Sequence, residues 1–524
     1  MNRWLWIAFR VLLSMTGAVI VAAAEVRFQV EEFVVEGEHP FAQDELKEML
    51  DPYLGEHEGF LDLRNAAQTL EERLQSRGLP FHRVIIPPQR TTTGRFRFEV
   101  VPFKLNIVEV EGNSHFDRDN VLNSVRTALV VEETPNTREL ARALSLANNH
   151  PVKRVGVSMR RSERPNYIDA VLNVEDHSPH VVFLNANNRG SDDTGDERVA
   201  LGYQYTNLFN RDHVITFTAS SSPGHWDDVQ QYGVNYVWPL YRLSGDLAFL
   251  YTFSDVDSGT VGGAFDVTGQ GRFAGVHYTQ YFLNRGAYRH RLRVSVEDRL
   301  FENNLDFAGQ PQLCPFTNPQ ADCEVRSRPA ALDYTAEWVL PGSNVALTMG
   351  YVYNLPRGAD NDQQAYTGAR VGADDNWGAA RFGLVTDVKM PKNMLFRTRF
   401  SGQWANEPLI PGEQFGFGGE RSVRGFPERE VASDSGYQQS LELWLPANRS
   451  GIDFFAFTDA GYGLREDTLP GEDESLTLMS YGLGARWRPN RHFNLALDFA
   501  RVLAGEGGVD EGDMRLHFNV LVRN

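Results

Sequence analysis

The chain has 524 residues, a formal net charge of -18 and a mean hydropathy of -0.38. Its length exceeds that of one ordinary domain, and no run of about 18 apolar residues follows the N-terminus, which excludes membrane-spanning helices. The acidic balance argues against binding to nucleic acid, whose phosphates require a basic surface. The 46 glycines and the aromatic content of 11% are compatible with a transmembrane β-barrel, whose alternating strands give only a weak hydropathy signal.

Residues 1–24 are predicted to be an export signal. Arg3 and Arg10 give a positive n-region, an apolar stretch follows, and three alanines that end at Ala24 provide a cleavage site. A single signal anchor is the alternative, but nothing after Ala24 resembles a stop-transfer segment. The mature chain is therefore expected to begin near Glu25 and to leave the cytoplasm.

An internal repeat follows the export signal. Residues 33–46 and 107–121 each contain a strand that ends in Glu-Gly, a short turn with a phenylalanine and the start of a helix. Two helical patterns and two strands complete each copy, so two tandem β-α-α-β-β units are predicted, over residues 25–102 and 103–178. The predicted helices cover residues 43–50, 63–75, 118–129 and 137–147.

From residue 179 to residue 524 the apolar pattern has a period of two. Phe396 and Trp404, for example, share one face of a predicted strand, and Arg397 and Arg399 share the other. A soluble sandwich would also alternate, but its core would exclude such charges. Short turns that alternate with long acidic loops are typical of outer-membrane barrels. Sixteen strand patterns are predicted, an even number as a closed antiparallel sheet requires.

Several charged residues of the predicted barrel fall on the inward face. Arg397, Arg399, Glu442 and Asp498 are expected to line a hydrated path, although charged lumens also occur in ordinary porins. The last residue, Asn524, occupies the position where outer-membrane barrels usually end in an aromatic.

The two cysteines lie in the fourth long loop of the predicted barrel. Cys314 and Cys323 are separated by a stretch rich in proline and asparagine. A disulfide in an oxidising compartment is predicted. A metal site would need further cysteines or histidines nearby, and the sequence has none there.

The sixth long loop contains an unusual segment, residues 416–430, with the sequence GFGGERSVRGFPERE. It combines glycines with charges of both signs around Val423, Arg424, Gly425 and Phe426. A phosphate-binding loop is excluded because the glycine spacing is wrong and no helix follows. An exposed loop arginine is one interpretation of Arg424. An arginine that is held inside the barrel is the other.

The tandem units, the sixteen strands and VRGF in the sixth loop together resemble the two-partner secretion transporters. This TpsB, or ShlB/FhaC/HecB, family belongs to the polypeptide-transporting outer-membrane barrels, and the resemblance covers nearly all of the mature chain. It implies that the fold is mainly β, a 16-stranded transmembrane barrel preceded by two POTRA domains in the periplasm of a Gram-negative cell. The better-known members also carry an N-terminal plug helix, which this sequence lacks, so a self-plugged resting pore is not expected.

A second motif of that superfamily, Phe-x-Asp-x-Gly, is present on the thirteenth predicted strand as Phe457, Asp459 and Gly461. Alternation places these three residues on one face, so Asp459 can point into the lumen. A loop that folds back into the barrel would place the guanidinium of Arg424 against this carboxylate. Gly425 would let the backbone turn tightly beside it. The loop is therefore predicted to act as a latch.

The resemblance implies transport rather than catalysis, and no cofactor is predicted. The sequence has no P-loop and no recognisable pair of nucleophile and base. By resemblance, the POTRA pair captures an unfolded exoprotein of the haemolysin or adhesin type and passes it through the barrel without ATP, in type V secretion. Capture by addition of a strand to a POTRA sheet edge is expected. Outer-membrane lipid, lipopolysaccharide and the barrel-assembly machinery are the other expected partners.

Two other classes of protein are compatible with parts of the pattern. An assembly factor that inserts or translocates outer-membrane proteins, similar to the translocation and assembly module, would usually have three or more POTRA units, and two are present. A solute porin or an outer-membrane hydrolase would have no POTRA repeat.

Overall fold

The computed structural model describes residues 27–190, 195–226, 229–255, 260–261, 265–266, 271–302, 305–307, 310–312, 324–446, 451–468, 473–506 and 508–524. The predicted export signal and the predicted disulfide between Cys314 and Cys323 lie outside these residues. The chain divides into two compact units, Met1–Lys104 with Pro165–Tyr167 and Leu105–Arg164 with Ile168–Asn524.

The first unit packs two helices on a three-stranded sheet. Its elements are β1 (Arg27–Val30), β2 (Glu32–Gly37), α1 (Gln43–Leu50), β3 (Gly55–Glu58), α2 (Leu61–Ser76), β4 (His82–Ile85) and β5 (Arg95–Pro102). The sheet has the order β2-β5-β4. Leu70 and Leu74 lie one turn apart on α2, and Phe98 and Val100 alternate along β5, so the helical and strand periods both direct apolar side chains into one buried cluster.

A short strand pair in this unit departs from the predicted β-α-α-β-β order. Strand β1 pairs antiparallel with β3, and Phe28 and Val30 of β1 pack beside Leu63 and Phe96. The prediction omitted both strands because each has four residues and β3, with the sequence GEHE, has no apolar alternation.

The second repeat has the predicted order of elements. They are β6 (Lys104–Glu111), α3 (Arg118–Val125), α4 (Thr137–Ala147), β7 (Lys153–Arg161) and β8 (Tyr167–Asp176), and the sheet has the order β6-β8-β7. The side chain of Asn136 accepts hydrogen bonds from the backbone N–H groups of Arg138 and Glu139, which fixes the start of α4. Helix α3 ends at Val125, four residues before the predicted end.

The repeated Glu-Gly has the same structural cause in both copies. Gly37 and Gly112 have φ angles of 96° and 83°, in the left-handed region that favours glycine. A Cβ atom on Gly37 would lie 2.3 Å from the carbonyl oxygen of Val100, and one on Gly112 would lie 2.4 Å from that of Val174. Each glycine therefore lets the end of β2 or β6 lie close against the last strand of its own copy of the repeat.

The rest of the second unit is a closed antiparallel barrel, which has sixteen strands among the described residues and confirms the predicted fold class. The eighth strand is interrupted at Arg328 and consists of β20 and β21. The elements are β9 (His180–Asn187), β10 (Arg198–Leu208), β11 (His213–Ser221), β12 (Gln231–Leu240), β13 (Gly245–Ser254), β14 (Thr260–Val261), β15 (Phe265–Asp266), β16 (Gly271–Tyr281), β17 (Tyr288–Glu302), β18 (Leu305–Phe307), β19 (Gln310–Gln312), β20 (Glu324–Ser327), β21 (Pro329–Leu340), β22 (Ser343–Asn354), α5 (Gln363–Ala369), β23 (Gly378–Lys389), β24 (Leu395–Ala405), β25 (Phe415–Phe417), β26 (Val431–Ser433), β27 (Ser435–Trp444), β28 (Ile452–Leu464), β29 (Ser475–Asn490), β30 (Phe493–Ala504) and β31 (Met514–Arg523).

The strands of the barrel separate apolar from polar side chains. Large apolar residues such as Met349, Trp404 and Leu483 are exposed on the outside. Polar residues such as Thr218 and Thr252 are buried on the inside. This alternation is the one that a membrane-spanning strand requires. Among the described helices, none is long and apolar enough to cross a membrane.

The barrel closes between its first and last strands. Strand β31 pairs with β9 from Asn519 opposite Asn187 to Arg523 opposite Phe183. The side chain of Asn524 extends this seam, because its Nδ2 donates to the carbonyl oxygen of His180 and its Oδ1 accepts from the N–H of Val182. The side chain of Asn524 therefore takes part in closing the sheet.

Candidate functional site in the barrel lumen

The connection between the eleventh and twelfth barrel strands, residues 406–434 (loop 6), folds back into the barrel. Strands β25 and β26 pair and form its stem. Val423, Arg424 and Phe426, beyond that stem, have at most 1% of their surface exposed. The VRGF segment therefore lies inside the protein, which excludes the interpretation of Arg424 as an exposed loop charge.

Loop 6 brings the guanidinium of Arg424 against the carboxylate of Asp459 on β28. Arg424 Nε donates to Asp459 Oδ2 at 2.7 Å, Nη2 donates to Oδ1 at 2.8 Å, and the backbone N–H of Arg424 donates to Oδ2 at 3.1 Å. Such a paired geometry combines two charge-assisted hydrogen bonds and fixes the relative orientation of the two planes. Because both side chains are almost fully buried, water does not compete for these bonds.

Further side chains on the barrel wall satisfy the rest of the guanidinium. Nη1 donates to Glu442 Oε1 at 3.0 Å and lies 3.8 Å from Asp498 Oδ1, and Nη2 also donates to Ser440 Oγ at 2.8 Å. The period-two pattern predicts Glu442 and Asp498 on the inward face but does not identify them as partners of Arg424. Both are buried, so they do not line an open path in this structure.

Two more arginines balance these carboxylates. Arg486 donates to both oxygens of Asp498, at 2.9 and 2.8 Å, and Arg399 donates to Glu442. With Arg424 they place three guanidinium groups against the three carboxylates. This balance matters because an unpaired charge in a buried site is strongly destabilising.

Each position of the Phe-x-Asp-x-Gly motif has a separate contact. The Arg424 guanidinium lies 3.5 Å from the centre of the Phe457 ring, within the range of a cation–π interaction. A Cβ atom on Gly461 would lie 2.4 Å from the ring of Phe417 and 3.1 Å from Val423. The motif thus supplies a stacking ring, the carboxylate Asp459 and the space that loop 6 occupies.

The remaining VRGF residues anchor the loop. Val423 and Phe426 belong to a buried cluster with Phe417, Val431, Leu476, Leu478 and Val502. Gly425 has a φ of 100°, and its N–H donates to Nε2 of His517 on β31 at 2.9 Å. His517 must therefore leave Nε2 unprotonated. His517 was not predicted as a site residue, because it belongs to no motif and only the pairing of β31 with β30 brings it opposite Asp498.

A second ion cluster holds loop 6 at the first strand. Arg189 follows β9, and its Nε and Nη2 lie 2.7 and 2.6 Å from Glu420 Oε2. Glu428 lies 3.7 Å from the same Nε. Together with the bond from Gly425 to His517, this cluster connects loop 6 to both strands of the closing seam.

The base of loop 6 is fastened to its neighbouring loops through Asp434. The Asp434 carboxylate accepts hydrogen bonds from Arg370 in the loop after β22, at 2.5 and 3.0 Å. It also accepts backbone N–H groups of Leu409 and Glu466, each at 2.8 Å. Loop 6 is therefore fixed at its base as well as at its tip. Among the described residues, no cluster of His, Cys, Asp and Glu is arranged to hold a metal ion.

Family comparisons agree with these observations. Residues 332–487 match the model of the haemolysin secretion/activation protein ShlB/FhaC/HecB, and residues 28–102 match the model of the ShlB-type POTRA domain. The first match contains loop 6 and Asp459.

Curated relatives extend the similarity over most of the chain. The heme/hemopexin transporter protein HuxB of Haemophilus influenzae is 20% identical over 461 residues, which cover 84% of this chain and 77% of the relative. A second HuxB of the same species is 18% identical and covers 90% of this chain and 82% of the relative.

Solved structures share the fold. CdiB from Escherichia coli aligns with a TM-score of 0.80 at 16% identity, over 98% of this chain and 93% of the other. CdiB from Acinetobacter baumannii aligns with a TM-score of 0.71 at 17% identity, over 95% and 90% of the two chains.

Together, the fold and the comparisons indicate where the protein is located and what it does. The protein is an outer-membrane β-barrel transporter with POTRA domains in the periplasm, and it translocates a secreted exoprotein. The family is one of transporters rather than of enzymes. The chain belongs to the haemolysin secretion/activation family ShlB/FhaC/HecB, the TpsB transporters of two-partner secretion.

Proposed function

We propose that loop 6 is a latch which keeps the barrel in a resting state, and that exoprotein transport requires the pair of Arg424 and Asp459. The bidentate, buried bond between these two side chains supports this role. Desolvation of a buried ion pair offsets much of its attraction, whereas removal of one partner is strongly destabilising. The pair therefore specifies one position of the loop more than it stabilises the barrel.

The domain limits proposed for this function follow the repeat. Residues 25–102 and 103–178 form the two POTRA domains, residues 179–524 form the barrel, and residues 1–24 direct export. The cargo is an unfolded exoprotein of the haemolysin or adhesin type. Its folding at the cell surface supplies the driving force, because the periplasm has no ATP.

Cargo is captured along the open edge of a POTRA sheet. Strand β4 pairs with β5 on one side, and its other side faces a groove of about 640 Å³ beside α2. Val84 and Ile85 line this groove together with polar side chains of α2 such as Gln68 and Glu71. An extended segment that adds to this edge would replace Glu71 Oε1 as the partner of the Val84 N–H, bond to the β4 backbone and place alternate side chains against the helix.

A cavity beside loop 6 is the proposed start of the path through the barrel. It has a volume of about 440 Å³ and lies between the loop and the walls near the seam. Asn185, Gln204 and Asn519 contribute amides to its lining, and Arg189 and Arg486 contribute guanidinium groups. Such polar walls would form hydrogen bonds with the backbone of a passing segment and would not retain apolar side chains.

The barrel also contacts the membrane and the machinery that inserts it. Its apolar outer face packs against outer-membrane lipid and lipopolysaccharide, and the barrel-assembly machinery inserts it. The outward residues of β31, among them Leu516 and Val522, are exposed and belong to this apolar face.

Secretion in cells that carry latch variants tests this proposal. Arg424→Ala, Asp459→Ala, the double variant and the charge-swapped pair are compared for high-molecular-weight protein in the medium, at matched amounts of barrel in the outer membrane. Arg488→Ala is the control, because the ion pair of this arginine with Asp453 is largely exposed and contributes little.

We expect loss of export in each single variant, no further loss in the double variant and partial rescue by the swap. The control should export normally. Unchanged export together with an altered set of outer-membrane proteins would contradict the proposal and would identify an assembly factor.

A further inference from the structure

The second POTRA domain meets the barrel at a buried polar cluster that is separate from the latch. Lys153, the first residue of β7, has no exposed side-chain surface, and Asp212, in the turn between β10 and β11, has 1% exposed. A lysine is almost never fully buried without a partner. The cluster joins two domains that belong to the same compact unit.

Every donor of Lys153 is used in this cluster. Its Nζ donates to Asp212 Oδ1 at 2.7 Å, to Asp212 Oδ2 at 2.6 Å and to Asn120 Oδ1 at 2.7 Å. An ammonium group has three N–H donors, so its hydrogen-bonding capacity is fully satisfied. The Nζ also lies 4.9 Å from the centre of the Phe116 ring.

Asp212 is bonded from both domains. Asn120 Nδ2 on α3 donates to it at 2.9 Å, and the hydroxyl of Tyr241, in the turn between β12 and β13, donates at 2.6 Å. Burial alone would raise the pKa of the Asp212 carboxyl, but the charge of Lys153, the neighbouring His150 and the hydrogen bonds from Lys153 and Tyr241 together outweigh burial and hold this pKa below its ordinary value. The carboxylate is therefore charged at neutral pH.

Neighbouring contacts extend the junction to further parts of the barrel. The Nε2 of His150 donates to the carbonyl oxygen of Thr206 at 2.7 Å, and Nδ2 of Asn149 donates to the hydroxyl of Tyr281 at 2.9 Å. Leu146 at the end of α4 packs beside Tyr281 in a small apolar cluster. The ends of α3 and α4 and the start of β7 thus all contact the barrel.

We propose that Lys153 and Asp212 are positioning residues which lock the second POTRA domain onto the periplasmic turns of the barrel and hold the free edge of β7 at its entrance while cargo passes. This inference rests on the proposed function. Apolar side chains could fill the same volume, but they would not select a single arrangement. A fully satisfied buried ion pair does so, since any displacement would leave a charge without its partner.

Distance measurements in the full-length protein test the lock. Spin labels are attached to cysteines at Arg126 on the second POTRA domain and at Lys392 in the turn between β23 and β24, both of which are exposed, after serine replaces Cys314 and Cys323. Lys153→Met, Asp212→Asn and the double variant are compared with the unaltered junction. Arg164→Met is the control, because its ion pair with Glu132 is exposed and contributes little.

We expect a narrow distance distribution in the unaltered protein and in the control. Each single variant should broaden it and should lower export about tenfold, because one buried charge is left without its partner. The double variant removes both charges and should recover part of both losses. Resistance of the barrel to unfolding in SDS, measured by gel mobility, shows whether each variant has folded.

Two results would overturn the lock. One is a distribution in Lys153→Met as narrow as in the unaltered protein, and the other is normal export from a folded variant whose distribution is broad. Failure of the proposed function gives a different result, in which the unaltered protein keeps a narrow distribution and exports nothing.

Discussion

The protein contains two buried ionic clusters that have different structural roles. In the lumen, Arg424 joins a loop to the wall of its own barrel and faces three carboxylates. At the domain junction, Lys153 joins two domains and pairs with one carboxylate, Asp212. The planar guanidinium can hold several partners in fixed directions, whereas the compact ammonium fills a small cage with three donors.

The two clusters also differ in how the sequence encodes them. Arg424 and Asp459 both lie in short motifs, because a glycine and a ring must accompany each charge in the same segment. The junction draws Asn120, Lys153 and Asp212 from a helix, a strand and a turn that are remote in sequence, so no local pattern marks it.

The largest effect is expected when the lumen cluster loses its cation. Arg424→Ala leaves Glu442 and Asp498 partly unpaired and Asp459 without its partner, and we expect it to lower the free energy of opening of loop 6 by about 3–5 kcal/mol. Arg424→Lys should recover less than half of this loss, because an ammonium can make neither the bidentate bond nor the stack on Phe457. Hydrogen exchange of the amides of residues 423–426 measures the opening.

The reference for this measurement is Arg488→Ala, whose ion pair with Asp453 is largely exposed and whose exchange should match that of the unaltered protein. Protection in Arg424→Lys equal to that of the unaltered protein would show that charge alone holds the loop. The bidentate geometry of the guanidinium would then be irrelevant.

Replacement of the lysine at the junction by arginine is expected to have the next largest effect on local stability. Lys153→Arg keeps the charge but forces a larger head group into a cage that Asn120, Asp212 and the Phe116 ring already fill. Such overpacking costs about 1–3 kcal/mol. We expect faster exchange in the first residues of β7, measured in the full-length protein, with no change in residues 423–426. Equal protection in both proteins would mean that the cage adapts, and the contrast between the two cations would fail.

The architecture could be predicted from the sequence because each part repeats a simple period. The helical period of α2 and α4, the two copies of Glu-Gly and the alternation in the barrel strands each identify one kind of element without reference to distant residues. The strand pair β1 and β3 was not predicted because each strand has only four residues and β3 has no apolar alternation.

The candidate site was predicted only where a motif marked it. The two motifs led to the expected contact between Arg424 and Asp459, which the structure contains, whereas Glu442 and Asp498 were placed on the inward face without a partner. Period-two alternation gives the face of a residue but not the depth at which loop 6 enters. His517 and Arg189 could not be identified, since the role of His517 depends on the pairing of β31 with β30 and that of Arg189 on the contact of loop 6 with the segment after β9.

Substitution of His517 in the lumen is expected to have a smaller effect on the opening of loop 6. His517→Leu removes the acceptor for the buried N–H of Gly425, and an unsatisfied buried donor costs about 1–3 kcal/mol. His517→Gln keeps a carbonyl oxygen that can accept this bond and should restore much of the loss. The same hydrogen-exchange measurement on residues 423–426 reports both variants. Similar exchange in the two would show that the acceptor is unimportant and that packing against β31 holds the loop.

The smallest effect is expected from pH, and it is confined to the junction. Burial lowers the pKa of His150; the carboxylate of Asp212 opposes this shift, and the charges of Lys153 and Arg154 add to it. An undocked His150 would titrate near its ordinary value of about 6.5, so it would bind a proton more readily than the docked one. Acidification from about pH 7.5 to about pH 5.5 should therefore weaken docking, because a proton on His150 is more costly in the docked state.

The spin-label distances between positions 126 and 392 measure this dependence directly. The distribution should broaden at the lower pH in the unaltered junction, and His150→Gln, which keeps an N–H donor for Thr206 but does not titrate, should remove the dependence. His115→Gln serves as the control, since this histidine is half exposed and contacts Asp176 rather than the barrel. The Asp212 carboxyl cannot account for the change, because its pKa is held below the ordinary range and it stays charged at both pH values. Broadening that persists in His150→Gln would assign the sensitivity to another group and would leave the junction independent of His150.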